Sequence, residues 1–316
     1  MIRVEAPLRL PLGGGGTDLP SYYIGRGGFL VTACLRDAVR VTLQPRGAAA
    51  GSAGPWIEEA LRHLGPPAGI EARVESDLPP GSGLGGSGAV LVALAHALRL
   101  WRGERPAPRL LAEEAFRVER QGMGRPIGRQ DAFAAAYGGV LALRIDRDGR
   151  TRVRRLRLAR PHLRALERAL LLVDTGVRRD AAVPLAEQER SALGGTGVVE
   201  LMDAIGDLGR LSARLIEAGR PAGLGAIFRR HWELKRRLTP GTATTGAERC
   251  IALGLGAGAR GGKLIGAGGG GFVLLHCGTA RPAVIGALTA AGFETRPVRL
   301  AARGSHALPA ESVRAA

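Results

Sequence analysis

The segment from Glu75 to Val90, ESDLPPGSGLGGSGAV, constrains the fold of this chain more than any other stretch. Apolar and charged residues alternate from Ile70 to Glu75, which predicts a strand before it, and apolar residues at helical spacing follow it as far as Trp101. The glycines between these elements allow positive φ angles and a close approach of a ligand to the backbone. Such a loop exposes N–H groups at the positive end of a helix dipole, so we expect phosphate binding. The alternative is a turn that only joins the strand to the helix.

Two further glycine clusters, Gly13–Gly16 and Gly266–Gly271, lie far from this loop in the sequence. Three clusters in one chain suggest a backbone that converges on a phosphate-bearing ligand. The spacing of Gly81, Gly83 and Gly86 fits G-x-G-x-x-G, but Asp77-Leu78-Pro79-Pro80 intervenes between it and the preceding strand. No acidic residue follows at the distance that a dinucleotide-binding fold requires, so that interpretation is disfavoured. The Gly-Lys-Ser/Thr ending of a P-loop is absent.

The composition narrows the class of partner. The chain has 316 residues, enough for two domains of about 150 residues each. Its net charge of +17 favours an acidic partner, such as nucleic acid, anionic lipid or a phosphorylated small molecule. The basic residues are scattered and aromatic residues for base stacking are few, so a nucleic-acid binder ranks last and no nucleic-acid partner is expected.

Cysteine and histidine usage indicates neither a disulfide framework nor a metal site. Cys34, Cys250 and Cys277 are widely spaced and form no C-x-x-C pair, so we interpret them as core residues of a protein in a reducing cytoplasm. The histidines show no metal-ligand spacing and are interpreted as structural. Neither a signal peptide nor an apolar run of membrane-spanning length is recognisable, so no membrane partner is expected.

The order of predicted elements, with strands first and helices grouped later, indicates an α+β fold. A hairpin is predicted at Val140–Leu158 around Asp148-Gly149, and a domain boundary soon after it, near residue 165. The tail after Ala302 is expected to be loose. The remaining predicted strands are 2–10, Leu30–Leu35, Ala38–Gln44, Ala169–Asp174, Lys263–Gly266, Phe272–Cys277 and Glu294–Leu300; the remaining predicted helices are Trp56–Leu64, Leu110–Gln121, Ala182–Leu193, Val198–Ala218, Leu224–Leu238, Ala247–Gly256 and Pro282–Ala291.

Several dispersed motifs resemble those of the GHMP kinases, in the order found in that family. APLRLPLGGGGTDLPSYY resembles motif one, PPGSGLGGSGAV motif two and KLIGAGGGGFVLL motif three. IGRQDAFAAAYGG, DTGVRRDAA, HWELKRRLTPG and RGGKLIGAGGGGF are most similar to the bacterial D-glycero-D-manno-heptose 7-phosphate kinases. The resemblance runs from about residue 4 to residue 300, and several motifs in fixed order are a specific signal.

The resemblance implies a two-domain α+β GHMP kinase fold. It implies an N-terminal ribosomal-protein-S5-like domain at residues 1–165 and a C-terminal ferredoxin-like α/β sandwich at residues 166–316. It also implies a kinase that uses ATP and Mg²⁺ and transfers the γ-phosphate to the anomeric C1 hydroxyl of a heptose 7-phosphate. The product, a heptose 1,7-bisphosphate, would serve nucleotide-activated heptose synthesis.

Site residues follow from the same resemblance. Asp131 corresponds to the catalytic aspartate and Arg9 to the basic residue close to it; a helix N-cap and a solvated arginine are the alternatives. Glu119 and Ser87 correspond to Mg²⁺ ligands, although an exposed glutamate paired with an arginine is almost as plausible for Glu119. The expected ATP-binding residues are Pro80, Gly81, Ser82, Gly83, Leu84, Gly85, Gly86, Ser87, Gly268 and Gly269.

The expected sugar-binding residues are Gly15, Thr17 and Asp18, with a turn-capping role as the alternative for Asp18. Arg179 and Lys235 are expected to grip the phosphate that the sugar already carries, because a charge-assisted hydrogen bond suits a phosphate. Arg236 and Arg237 are interpreted as solvated residues on a helix face.

Motif two departs from the usual G-L-G-S-S, because Gly86 replaces the first serine and Gly88 follows Ser87. This departure leaves open a weakly catalytic protein that senses sugar and ATP. A kinase of a fucose-like or galactose-like sugar is another alternative. The sequence Gly14-Gly15-Gly16-Thr17-Asp18-Leu19, where galactokinases have G-E-H-T-D-Y, argues against galactose.

Overall fold

The computed structural model describes residues 1–47, 53–178, 196–239 and 244–309. Several helices begin with proline at the first or second position, where its missing N–H costs no hydrogen bond. In chain order the elements are β1 (Ile2–Gly13), α1 (Pro20–Arg26), β2 (Gly28–Pro45), α2 (Pro55–Leu64), β3 (Ile70–Ser76), α3 (Gly86–Trp101), α4 (Pro108–Arg117), α5 (Gln130–Tyr137), β4 (Val140–Ile145), β5 (Thr151–Arg155), α6 (Arg160–Ala169), β6 (Leu170–Asp174), α7 (Thr196–Glu217), α8 (Leu224–Leu238), α9 (Thr245–Gly256), β7 (Gly261–Leu264), β8 (Phe272–His276), α10 (Arg281–Ala290), β9 (Glu294–Pro297) and β10 (His306–Ala307).

The first sheet is antiparallel and has the strand order β10-β1-β2-β4-β5, with β3 also paired to β2. Helices α3 and α5 pack on it, and α4 packs on these two helices. Helix α3 is apolar on nearly all sides, and Leu91, Leu94 and Leu98 are among its fully buried side chains. This packing fixes the first turn of α3, and the glycine-rich loop before it, against β1.

The second sheet is also antiparallel, with the order β7-β8-β6-β9. Helices α8, α9 and α10 bury apolar side chains around it, including Phe228, Ile251 and Leu288. The separation of two antiparallel sheets from their covering helices confirms the predicted α+β class.

The predicted break in β2 is wrong. Strands were expected at Leu30–Leu35 and Ala38–Gln44, but one strand runs unbroken through Arg36 and Asp37. The backbone stays extended there because Leu35 forms a bridge with Leu300 and the Arg36 N–H donates to the Arg299 carbonyl at 2.8 Å. Tertiary pairing, and not the local hydrophobic pattern, holds the strand together.

The tail after Ala302 is also ordered in part, contrary to expectation. His306 and Ala307 form β10, which pairs antiparallel with Val4 and Glu5 of β1. The Leu308 N–H also donates to the Arg3 carbonyl at 2.9 Å. The last described residues therefore cover the outer edge of the first strand.

The other predicted helices and strands agree with the structure to within a few residues, including the hairpin of β4 and β5. The expected helix at Ala182–Leu193 lies outside the described residues. The predicted boundary near residue 165 falls within α6 and stays a prediction, since one hydrophobic cluster contains residues from both sides of it. All three cysteines are buried and free, as expected of core residues. Among the described residues, no helix combines the length and apolar character needed to cross a bilayer.

Candidate active site

A cavity of about 950 Å³ opens where the glycine-rich segments meet. Gly15 and Gly16, the loop from Pro79 to Ser87, and Gly266 all line it. The second and third segments touch directly, because a Cβ built on Gly266 would lie 2.9 Å from the Gly83 Cα. A side chain at either position would push the two loops apart. The convergence predicted from the three glycine clusters is therefore present in the structure.

The loop before α3 adopts a backbone that glycine permits. Gly81, Gly83 and Gly85 have φ angles of 74°, 76° and 78°, and Gly85 is the N-cap of the 16-residue helix α3. No side chain caps this helix end. The N–H groups of the first turn therefore remain available at the positive end of the helix dipole, which suits a phosphate.

Gly86 and Gly88 occupy different environments. No atom lies within 4 Å of a Cβ built on Gly86, and its φ is not positive. A Cβ on Gly88 would lie 2.7 Å from the Asp131 Cβ and 3.0 Å from the Ala132 nitrogen. Gly88 is thus required by the close packing of α3 on α5, whereas Gly86 is not required by packing.

Asp131 lies in the first turn of α5 and is held by Arg9 of β1. Arg9 Nε donates to Asp131 Oδ1 at 2.7 Å and Nη2 donates to Oδ2 at 3.3 Å. The Arg9 side chain is only 8% exposed, and its Nη1 also donates to the Gly83 carbonyl. The N-cap of α5 is Arg129, so the alternative interpretation of Asp131 as an N-cap is wrong. Arg9 is buried, and the alternative of a solvated arginine is also wrong.

Asp18 is buried beside Asp131 and supports the same helix. Its Oδ2 accepts a hydrogen bond from the Gln130 N–H at 2.9 Å, and its Oδ1 accepts one from the Gly16 N–H at 3.2 Å. Burial raises the pKa of the Asp18 carboxyl, although these hydrogen bonds act against the shift. Asp18 lines the cavity, so its turn-capping role and access to a ligand coexist.

Glu119 lies in a π-helical turn, Val118–Gly122, that extends α4. The side chain is buried, which contradicts the alternative of an exposed glutamate, and it is hydrogen-bonded to Ser87. Burial raises the pKa of Glu119 to about 7, with a smaller contribution from the charge of Asp131. A buried carboxylate of raised pKa next to a hydroxyl, at the edge of a phosphate-type loop, fits a divalent cation that would supply the missing positive charge. The described residues contain no group of three His, Cys, Asp or Glu side chains able to hold a metal, so phosphate and water oxygens would complete the Mg²⁺ coordination.

Two buried lysine amines and one histidine lie in the wall of the cavity that α8 and β7 form. Lys235, Lys263 and His231 all line the cavity, and each is at most 9% exposed. Lys235 Nζ donates to the Gly266 carbonyl, and Lys263 Nζ lies 3.4 Å from His231 Nδ1. Burial lowers the pKa of Lys235 to about 8, and burial together with the charge of Lys235 lowers the pKa of Lys263 to about 7.

Apolar side chains also line the cavity. Trp56 and Ile57 of α2 are among them, together with Pro79 and Val90. The cavity thus combines apolar side chains, glycine-rich backbone and buried cations, a combination that suits a ligand with an aromatic base joined to phosphates.

The structure brings most of the expected site residues together, but not all of them. Thr17 is buried and hydrogen-bonded to the Gly14 and Phe29 carbonyls at 2.8 and 3.0 Å, and it does not line the cavity. Arg179 lies outside the described residues. Leu84, Gly268 and Gly269 do not line the cavity either; those that do are Arg9, Gly15, Asp18, Pro80, Gly81, Ser82, Gly83, Gly85, Gly86, Ser87, Glu119, Asp131 and Lys235.

Sequence reasoning missed Lys263, Gln130 and His231, the last of which it interpreted as structural. A lysine inside an otherwise uncharged strand, GGKL, is the signal that would have pointed to Lys263. His231 follows Ile227 and Phe228 at the spacing of the buried face of α8, which gave no reason to separate it from core residues.

Comparison with known proteins supports an enzyme site. Residues 55–139 match the family described as the GHMP kinases N terminal domain. The chain is 28% identical over 300 residues to D-glycero-alpha-D-manno-heptose 7-phosphate kinase of Campylobacter jejuni, which covers 86% of this chain and 88% of that protein. It is 30% identical over 211 residues to mevalonate kinase of Methanothermobacter thermautotrophicus, covering 66% of this chain and 64% of that protein.

A solved structure with the same fold is a D-glycero-D-manno-heptose 1-phosphate kinase from Bacteriodes thetaiotaomicron. Its TM-score is 0.79 at 22% sequence identity, and the superposition covers 99% of this chain and 100% of that chain. At this identity the likeness concerns the fold.

The pKa of Lys263 predicts a pH-dependent difference in stability. Above pH 10.5 the amine is neutral in both states; as the pH falls toward 7 the unfolded chain binds a proton that the folded protein resists, so stability is lost. From pH 7 to pH 8 the wild type should therefore gain, relative to Lys263→Met, on the order of 1 kcal/mol of unfolding free energy. Denaturant unfolding of both proteins at the two pH values measures this.

The comparison between the variants removes contributions common to both, such as that of Glu119, whose raised pKa acts in the opposite direction. Arg237→Met serves as the control, because Arg237 is exposed on α8, and it should keep the wild-type pH dependence. Identical pH dependence in the wild type and Lys263→Met would mean that Lys263 titrates as an ordinary lysine.

Proposed function

We propose that this chain is a GHMP kinase that transfers the γ-phosphate of ATP to the C1 hydroxyl of a heptose 7-phosphate. The fold is that of these kinases, as the sequence resemblance implied. The observation that carries the proposal is the Arg9–Asp131 pair, which places a carboxylate beside a glycine-rich helix N-terminus inside one cavity.

ATP would lie along the length of the cavity. Its phosphates would meet the N–H groups of the Gly81–Ser87 loop, with Gly266 behind them, where the α3 dipole favours negative charge. The apolar side chains of Trp56, Ile57 and Val90 offer an adenine ring a surface of matching character.

The phosphate transfer would proceed by in-line attack. The sugar O1 forms a bond to the γ-phosphorus, the bond between that phosphorus and the bridging oxygen to the β-phosphate breaks, and ADP leaves. Asp131 accepts or orients the proton of the C1 hydroxyl, and Arg9 holds the Asp131 carboxylate in place while balancing charge near the transferred group. Phosphoryl transfer depends mainly on this positioning and electrostatic stabilisation.

Ser87 and Glu119 would hold the Mg²⁺ ion. When bound, the ion would supply positive charge that neutralises the negative charge developing on the phosphates. The hydrogen bond between Ser87 and Glu119 supports the assignment of this pair to one ion.

The acceptor is proposed to carry a phosphate before the reaction. Lys235 of α8 lines the cavity, and Arg179, outside the described residues, is the second basic residue proposed to grip this phosphate. The similarity to the Campylobacter jejuni enzyme, whose name specifies a heptose 7-phosphate, supports this choice of acceptor.

We expect Asp131→Asn to lower kcat at least about a hundredfold while Mg·ATP affinity changes less than about twofold, because the carboxylate acts on the hydroxyl in the transition state. Steady-state kinetics and calorimetric titration measure the two quantities. Asp207→Asn, which removes an exposed carboxylate from α7, is the control and should keep wild-type kinetics. Near-normal turnover of Asp131→Asn would exclude a catalytic role.

A weakly catalytic sensor is the second candidate, favoured by the loss of the first motif-two serine. We expect Gly86→Ser to keep or raise kcat, because the added side chain meets open space and restores a hydroxyl beside the metal site. Gly88→Ala should lower kcat at least about tenfold, because its Cβ would displace Asp131. Thermal unfolding of both variants checks that they fold. A steep loss in Gly86→Ser would show that this loop binds phosphate in a different geometry.

The acceptor is tested by kcat/KM for a heptose and its 7-phosphate. The phosphorylated sugar should react at least tenfold better, because each charge-assisted hydrogen bond to phosphate contributes about 1.5–3 kcal/mol. Equal rates would exclude a phosphate site, and preference for a galactose-like or fucose-like sugar would favour the alternative sugar kinase. No turnover with any sugar, together with ATP binding, would favour the sensor.

A further inference from the structure

Lys263 and Lys235 are buried amines without an acidic partner in the part of the chain that the structure describes. No carboxylate of the described residues forms an ion pair with either of them, and the strongest charges acting on each are positive. Lys263 is 2% exposed and lies over the Phe228 ring, with Nζ 5.0 Å from the ring centroid. Buried charges in proteins are usually paired, so two amines without an ion-pair partner in a cavity wall favour an anion from the ligand.

His231 adds a directed donor to this wall. Burial and the nearby lysines lower the pKa of His231 well below its usual value, so its ring is neutral. A neutral ring that accepts from Lys263 at Nδ1 carries its proton on Nε2. The wall therefore presents donors and no described carboxylate, the combination that selects an anion over a cation or an apolar group.

The wall adjoins the segment in which the sugar-binding residues are expected. The His231 Cε1 lies 4.0 Å from a Cβ built on Gly15, in the glycine segment that leads to Asp18. Gln130 faces the same corner with its Nε2 buried and without a hydrogen-bond partner among the described residues.

We propose that Lys263 and His231, with Lys235, form the seat of the phosphate that the sugar substrate already carries. This inference rests on the proposed sugar kinase activity and assigns the specificity for a phosphorylated acceptor to the junction of α8 and β7. The same amines could instead bind the γ-phosphate of the nucleotide, and the experiment below distinguishes these two phosphates.

The test measures binding to full-length wild type, Lys263→Met and the control Arg237→Met by calorimetry. One arm titrates Mg·AMP-PNP, which fills the γ-phosphate position. The other titrates heptose 7-phosphate and free heptose into protein saturated with Mg·AMP-PNP. In Lys263→Met we expect heptose 7-phosphate to bind at least tenfold more weakly, with free heptose and Mg·AMP-PNP changed less than twofold.

Loss of Mg·AMP-PNP affinity with unchanged sugar phosphate affinity would overturn the proposal, because the anion would then be the γ-phosphate. Unchanged affinities for all three ligands would also overturn it and leave Lys263 with a structural role. If wild type binds no heptose 7-phosphate, the proposed acceptor is wrong, and inorganic phosphate becomes the probe of the seat. A rise in Tm of the Mg·AMP-PNP complex with phosphate that is lost in Lys263→Met would support the seat, and no rise in wild type would overturn it.

The wild type gives a second measurement that does not depend on the folding of a variant. His231 lies against Lys263, and the positive charges that act on Lys263 are those of Lys235 and, more weakly, Arg9. The Lys263 amine must be protonated to bind an anion by charge, and its pKa is about 7. Affinity for heptose 7-phosphate should fall several-fold from pH 7 to pH 8.5, whereas affinity for free heptose should not. A pH-independent affinity for heptose 7-phosphate would contradict the proposal.

Discussion

The arrangement of the site depends on one buried guanidinium. Arg9 lies on the central part of β1 and binds Asp131 on α5 and the Gly83 carbonyl in the glycine-rich loop. These three segments are distant in the sequence, and the planar fork of arginine fixes their relative positions with several donors at once. Removing the Asp131 carboxylate would leave the buried Arg9 guanidinium without its ion-pair partner, which is destabilising. The pair is therefore both an element of the fold and the centre of the proposed chemistry.

The glycines around this pair allow segments to approach each other closely as well as allowing positive φ angles. Gly83 and Gly266 allow two loops to touch, and Gly88 allows α3 to approach the Asp131 backbone. Gly86 stands apart because its surroundings are open. A glycine-rich sequence thus contains positions of two kinds, and only the three-dimensional contacts distinguish them.

Sequence patterns predicted the fold class, most helices and strands, and the segments that form the cavity, because periodicity and motif order are local signals. They did not predict the continuity of β2 or the pairing of β10, because both depend on contacts between distant segments. Lys263 and His231 were missed for the same reason, since 32 residues separate them and each one alone resembles a core position. The one local hint was a charged residue within the short strand Gly261–Leu264.

The pairing of β10 with β1 has a consequence for the synthesis of this protein. The strand that carries Arg9 is made long before the residues of β10 that cover its outer edge. Until then β1 presents an unpaired edge, the kind of surface on which chains associate wrongly. A nascent chain cannot complete this sheet until β10 has been made, and contacts of such long sequence separation slow folding. Termination of synthesis before His306 would leave β1 with an open edge.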